Sequence, residues 1–354
     1  MNLLDLTPAN AQAKITEWIE TRGEPAYRAR QIVPRLWQRP VAQWVDATDL
    51  PAQLRHELER SFPLSRPVRR AEQVSQDGTV KFLWEFPENG AVESVLIPEG
   101  RRRTLCVSSQ VGCAYGCVFC ATGRMGFGRH LHPWEICAQV RELMLDPRYG
   151  RPSGVVFMGM GEPLHNWDSV DRALTILNDP SGIGLGARHI TVSTVGIAPG
   201  LRQLAARPEQ FSVALSLHAA TSERRQQLMP VERKYPLAEI LELLRQFPRR
   251  VTLEYVMIQG VNDSATDARA LANVARSLGA LVNLLPLHPG GETGYRPSPT
   301  ANIKAFEETV RRAGIAVTLR QSRGLDISAA CGQLRIELQP HRRVASHVHR
   351  GIEE

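Results

Sequence analysis

From residue 104 to residue 320, apolar runs alternate with amphipathic stretches, and that alternation leaves few folds open. The runs at 104–108, 154–158, 189–193, 211–217, 251–258 and 281–287 read as strands. The stretches at 133–146, 167–178, 236–246 and 263–277 read as helices, followed by a helix over 302–313 and a strand over 315–320. Strand-then-helix repeats demand a parallel sheet, because successive parallel strands need a crossover connection. Six such units predict an α/β fold, a partial (βα)6 barrel that is TIM-like but open rather than closed by eight units. With 354 residues, 43% of them hydrophobic, the chain carries enough apolar material for this core.

The flanks read differently. Residues 1–66 form an expected N-terminal helical accessory domain. Thr7-Pro8 can start a helix, and Ile15, Ile19, Ile32, Leu36, Trp37, Leu50, Leu54 and Leu58 recur at helical spacing. Tyr27, Arg28, Arg30, Gln31, Arg35 and Arg39 give it a basic, partly aromatic face, which suits either a solvated bundle or a module that contacts RNA. Residues 67–103 read as a β-rich extension or linker, with strands at 79–86 and 92–97 set off by Gly78 and Glu88-Asn89-Gly90. The barrel is expected over 104–340 and a loose tail over 341–354.

The chemistry concentrates in cysteines. Cys113-Ala-Tyr-Gly-Cys117-Val-Phe-Cys120 places three thiols in a short loop after the first barrel strand. Gly112 and Gly116 let that loop bend, and Phe119 can shield one face of a bound cluster. Three thiolates suit an iron–sulfur cluster that keeps one iron open. A structural zinc site would want a fourth ligand, for which His130 and His132 are candidates. The C-x3-C-x2-C spacing closely resembles the signature of the radical S-adenosylmethionine superfamily. That resemblance implies a [4Fe–4S] cluster on Cys113, Cys117 and Cys120, whose open iron holds S-adenosylmethionine and cleaves it to a 5′-deoxyadenosyl radical.

Candidate cofactor contacts lie at strand C-termini, where (βα) barrels place their ligands. Gly161 and Glu162 follow the second strand, and the segment resembles the Gly-Glu-Pro motif that contacts the methionyl amine in this superfamily. Ser193 ends the third strand, Ser216, Leu217 and His218 end the fourth, and His288 ends the sixth. Cys137, on an amphipathic helix, reads as a buried small hydrophobe.

Two further cysteines sharpen the reading. Cys106 precedes the cluster loop, and Cys331 lies in Ser328-Ala-Ala-Cys-Gly-Gln-Leu334. With Thr104–Gln110, Val156–Leu164, Arg188–Thr194, Ala214–Ala219, Arg233–Leu237 and Glu254–Val256, these segments closely resemble the RlmN/Cfr family of RNA methyltransferases from about residue 20 to about 335. The resemblance implies a ping-pong reaction using two S-adenosylmethionine molecules per turnover. Cys331 takes a methyl group, a hydrogen is abstracted from it, and the resulting carbon radical adds to adenine. Cys106 then releases the product through a transient Cys106–Cys331 disulfide, and Glu93 handles the proton. A radical is needed because carbons 2 and 8 of adenine are not nucleophilic. Three places depart from the family pattern: His288 and His130 each stand where an Asn is usual, and His132-Pro133-Trp134 differs from the usual sequence there.

The expected product is a carbon-2 methyladenosine in 23S rRNA, with tRNA as a further substrate. Carbon 8, or a peptide or small-molecule substrate, is the alternative, and a non-catalytic RNA-binding protein with a structural metal is a third reading. A net charge of +7, much of it in arginine pairs such as Arg69-Arg70 and Arg249-Arg250, permits an anionic partner without identifying it. The remaining expectations are a flavodoxin-type electron donor, a monomer, a cytoplasmic address with reduced cysteines, and no membrane contact.

Overall fold

The β-branched runs become strands, and the amphipathic stretches become the helices that cover them. The computed structural model describes residues 1–88, 90–288 and 294–334; the expected tail at 341–354 and the end of the expected barrel lie outside the described residues. Three helices, α1 (Pro8–Glu20), α2 (Tyr27–Ile32) and α3 (Ala52–Ser61), open the chain. Strands β1 (Val68–Val74), β2 (Val80–Phe86), β3 (Gly90–Glu99) and β4 (Arg102–Cys106) follow. A small hairpin, β5 (Gln110–Gly112) and β6 (Phe127–His130), brackets the cysteine loop and its short helix α4 (Ala121–Arg124). The repeating units are α5 (Pro133–Leu145), β7 (Gly154–Phe157), α6 (Trp167–Asn178), β8 (Ile190–Thr194), α7 (Ala198–Ala205), β9 (Ser212–Ser216), α8 (Ser222–Leu228), α9 (Leu237–Arg245), β10 (Thr252–Met257), α10 (Ala265–Leu278), β11 (Leu281–Pro286), α11 (Thr300–Arg312) and β12 (Val317–Leu319).

One sheet runs in the order β1-β2-β3-β4-β7-β8-β9-β10-β11-β12. From β4 to β12 every neighbouring pair is parallel, which gives the six expected βα units and a closing strand. β1 to β4 are antiparallel neighbours, so the 67–103 segment continues the barrel sheet, with Val95 opposite Cys106. Strand β1 was not anticipated: Val68-Arg-Arg-Ala-Glu-Gln-Val74 is mostly polar, and only edge pairing to β2 organises it. Among the described residues β1 and β12 are the two edges, and the barrel is open between them.

Local signals fix the helix ends. Ser264 caps α10 by accepting the Asp267 N–H, and Gly279, at φ 60°, ends it. His132 and Glu135 form a reciprocal cap at the start of α5. Glu135, fully buried, is gripped by both terminal nitrogens of Arg129 at 2.7 Å, which ties the β5–β6 hairpin to α5. No helix among the described residues is long and apolar enough to cross a membrane.

The N-terminal helices attach through a buried cation. Arg141, on α5, donates from Nε to the Leu36 carbonyl at 3.0 Å and from Nη2 to the Val41 carbonyl. Burial pulls its pKa down to about 10, partly opposed by Glu142. Removing the side chain strands two buried acceptors. Arg141→Ala is expected to cost about 2–5 kcal/mol, read as a lower melting temperature, and to speed proteolytic cutting between α3 and β1. An unchanged melting curve and digest would contradict this attachment.

Candidate active site

The cysteine loop is shaped by close backbone contacts. Gly112 sits at φ +73°, and a Cβ there would meet the Gly126 carbonyl oxygen at 2.0 Å, so no other residue fits this hairpin. Cys113 N–H donates to that same carbonyl at 2.8 Å, Cys120 N–H to the Cys117 carbonyl at 3.0 Å, and Val118 N–H to the Leu228 carbonyl of α8 at 3.1 Å. The three cysteines then line one cavity of about 910 Å³, at the large end of the roughly 300–1,000 Å³ usual for ligand sites.

That cavity gathers most of the expected residues. Gly161, Glu162, Ser193, Ser216, His218, His288 and Cys331 line it with Cys113, Cys117 and Cys120. Ser193 and Ser216 face each other at 3.4 Å between hydroxyl oxygens. His288 is hydrogen-bonded through Nε2 to Ser322. Leu217 is buried outside the lining, its N–H donating to the Glu254 carbonyl at 3.1 Å. Glu93 is also not in the lining: it is buried on β3 with Lys81 Nζ 3.0 Å from Oε1, and its carbonyl accepts from Ser108 Oγ at 2.6 Å.

Histidine tautomers can be read from the hydrogen bonds. His218, at φ 55°, accepts the Val256 N–H on Nδ1 at 3.1 Å, so it is neutral and presents an Nε2–H donor. Burial, aided by the nearby Arg225 charge, pulls its pKa down to about 3, and its ring meets Phe119 edge-on at 4.8 Å. His130 and His132 are engaged elsewhere, with Gln110 and Glu88 respectively.

Cys331 is held at the cavity by its loop. Gly332 carbonyl accepts the Ala121 N–H at 2.7 Å, and Leu334 carbonyl accepts from Thr122 Oγ1 at 2.7 Å. On the other side Gly324 N–H donates to Asp77 at 2.9 Å, and Asp326 accepts from Ser75 Oγ and the Gln76 N–H at 2.5 and 3.2 Å. Cys331 is exposed, Cys106 is buried, both are free thiols, and they share a small pocket with Arg320 and Met158. Burial pushes Cys106 up to about 12, with Cys331 adding to the rise and Arg320 opposing it. Cys137 is buried in the core, as expected.

Three residues escaped the sequence reading. Arg320, just past β12, lies within electrostatic reach of Cys331, Glu254 and Cys106, which hold its pKa up, Cys331 most strongly. Glu254 is buried in the cavity wall, one oxygen bonded to Asn283 at 3.0 Å and the other without a hydrogen-bond partner. Gln110 accepts the Glu162 N–H at 2.7 Å and so fixes the turn that presents that carboxylate. Glu254 does stand in a segment that carries the family resemblance, but nothing in the local pattern gave it a role.

The donor set suits an iron–sulfur cluster. Burial pushes Cys113 up to about 12 and raises Cys117 and Cys120, so these thiols ionise only beside positive charge, which iron supplies. Among the described residues no three His, Cys, Asp or Glu side chains are gathered tightly enough for one metal ion. A tetrahedral zinc site needs such a group, whereas a cluster takes each thiolate on a separate iron.

Residues 107–271 match the family model of the Radical SAM superfamily, and residues 1–63 match the ribosomal RNA large subunit methyltransferase N-terminal domain. The chain is 54% identical over 337 residues to the “Probable dual-specificity RNA methyltransferase RlmN” of Gemmatimonas aurantiaca, covering 95% of this chain and 93% of that one. It is 41% identical to the dual-specificity RNA methyltransferase RlmN of Syntrophobacter fumaroxidans, covering 91% and 95%. A radical SAM methyltransferase from Sphaerobacter thermophilus superposes with a TM-score of 0.88 at 42% identity, covering 95% of this chain and 99% of that one.

Glu162 offers a test of the site's electrostatics. Burial raises its pKa to about 7 from an ordinary 4.5, although N–H groups of Val195 and Leu164 favour the carboxylate. The raised value means the folded state holds the proton more tightly. Its stabilising contribution is therefore full below about pH 4.5 and is lost as pH rises through about 7. In protein without its cluster, Glu162→Gln should gain melting temperature over the parent between pH 5 and pH 8. A gap that stays constant with pH would contradict the burial argument.

Proposed function

Because the chain belongs to the RlmN/Cfr family of radical S-adenosylmethionine RNA methyltransferases, we propose that it methylates carbon 2 of an adenosine in 23S rRNA, and also in tRNA, by way of a methyl group carried on Cys331. The observation that supports the carrier role is the placement of Cys331: exposed at the cavity wall, beside the three-thiol loop, and sharing a pocket with Cys106.

Cys113, Cys117 and Cys120 would hold a [4Fe–4S] cluster, with S-adenosylmethionine beside it against Gly161, Glu162, Ser193, Ser216, His218 and His288, while Leu217 backs this wall from the core. When bound, these groups supply a methyl group and one-electron chemistry that can act on a carbon no base activates. Glu162 faces the cofactor as an acceptor, fixed by its bonds to Val195 and Leu164. His218 adds a fixed neutral donor. His288 can donate or accept in place of the usual Asn, with Ser322 setting its ring.

The protein's own thiols complete the reaction. The methyl carbon on Cys331 Sγ, once one of its hydrogen atoms has been taken by the deoxyadenosyl radical, would bond to the adenine carbon. The adduct would give up one electron to the bound cluster and one proton from the adenine carbon, which leaves RNA tethered to protein. Cys106 Sγ, as the thiolate, then attacks Cys331 Sγ: a disulfide forms, the carbon–sulfur bond breaks with its electron pair left on carbon, that carbon takes up a proton to become the methyl group, and the RNA leaves. A reductant must restore both thiols before the next turnover. Arg320 favours the Cys106 thiolate by its charge, against the burial that raises that thiol's pKa. Glu93 would take the proton that the adenine carbon gives up, a role that rests on the family resemblance, since its side chain is buried against Lys81 outside the cavity lining.

Mass spectrometry of nucleosides from cells with and without the gene tests this. The account predicts 2-methyladenosine that vanishes in Cys331→Ala and Cys120→Ala cells, and RNA left covalently attached to Cys106→Ala protein. Product persisting in either of the first two variants would contradict it, and 8-methyladenosine would move the reaction to carbon 8.

A further inference from the structure

Beside the cysteine loop lies a group of rings that the proposed chemistry does not use. Phe127 and His130 come from β6, His165 from the turn after Glu162, and Tyr115 from the loop itself. Ring centroids are 5.0 Å apart for Phe127–His130, 4.9 Å for His130–His165, 5.7 Å for Phe127–His165 and 5.3 Å for Tyr115–His165. Phe127 is 43% exposed and neighbouring Met125 41%, so this apolar surface faces outward.

Hydrogen bonding sets the character of the surface. Gln110 accepts the Glu162 N–H on Oε1, which fixes its amide orientation, and its Nε2 then donates to His130 Nδ1 at 3.0 Å and His165 Nδ1 at 3.1 Å. Both imidazoles are therefore neutral, with Nε2–H as the remaining donor. Burial lowers both pKa values, as does the Lys234 charge at His165. Exposed Lys234 lies 5.4 Å from the Tyr235 ring, next to exposed Arg233. Flat neutral rings with the Lys234 cation in electrostatic reach of His165 match the two faces of a nucleotide, an apolar base and an anionic phosphate.

We propose that Phe127, His130 and His165 form a stacking subsite for an unpaired RNA base other than the target adenine, with Lys234 and Arg233 taking the adjoining phosphates. The inference rests on the RNA methyltransferase reading and extends it to where the flanking strand sits. Through Gln110 and the Glu162 N–H, the subsite is linked by hydrogen bonds to the turn that presents a cofactor contact. His130 occupies a position where the family usually carries Asn, which makes the subsite wider in aromatic surface in this chain than the family pattern implies.

The test measures binding of protein-free 23S rRNA transcribed in vitro to the cluster-loaded enzyme across a salt series. Phe127→Leu should weaken binding about tenfold with an unchanged salt slope, because stacking is lost and no charge is removed. Phe127→Trp should restore it. Lys234→Gln should instead lower the salt slope by about one. Iron content and melting temperature are expected to match the parent in all three. Unchanged RNA affinity in Phe127→Leu overturns the subsite; if cluster reduction by a flavodoxin-type donor is slowed at the same time, the surface belongs to the redox partner. Absence of salt-dependent RNA binding by the parent enzyme would sink the RNA methyltransferase reading as well, so the two failures are distinguishable.

Discussion

The site depends on a clasp between two loops that the sheet alone would leave apart. The cysteine loop follows β4, and the Cys331 loop follows β12, at opposite ends of the parallel series. Ala121 N–H to the Gly332 carbonyl and Thr122 to the Leu334 carbonyl join them. The same loop reaches the β1–β2 turn through Asp77 and Asp326. Hydrogen bonds of this kind each contribute about 1 kcal/mol, so several together hold a defined position. An open barrel thereby acquires a covered mouth without a strand to close it.

Charge follows from that geometry. The cavity wall buries thiols and carboxyls away from water, which disfavours their ionised forms, and their pKa values rise. Arginine answers at two points. Arg320 serves Cys331, Cys106 and Glu254, while Arg225, fully buried, pairs with Glu232 and donates to the Val195 carbonyl at 2.5 Å. The Val195 N–H in turn donates to Glu162 at 2.8 Å. One residue, Val195, thus connects a buried ion pair to a carboxylate facing the cavity.

Much of this was legible in the sequence. The parallel strands followed from apolar runs and the helices from their periodicity, because both signals are local. Cys113, Cys117 and Cys120 were readable because their spacing is itself the chemistry. Strand β1 was not, since its order comes from pairing with β2. Arg320, Glu254 and Gln110 were hidden for the same reason. Each is an ordinary polar residue until the fold brings it to a thiol, a cavity or a turn, and no spacing rule announces such meetings. Glu93 was named from resemblance, and the fold buries it against Lys81, outside the main cavity lining.

The account stands or falls on which sulfur carries carbon. Peptide mapping by mass spectrometry of protein expressed with its cluster, in a Cys106→Ala background digested with ribonuclease, locates any modification. The prediction is that Cys331 bears added mass, either a methyl group or an adenosine remnant joined through one carbon, while Cys137 bears none. An unmodified Cys331 in protein that holds its iron and is supplied with S-adenosylmethionine would contradict the central claim.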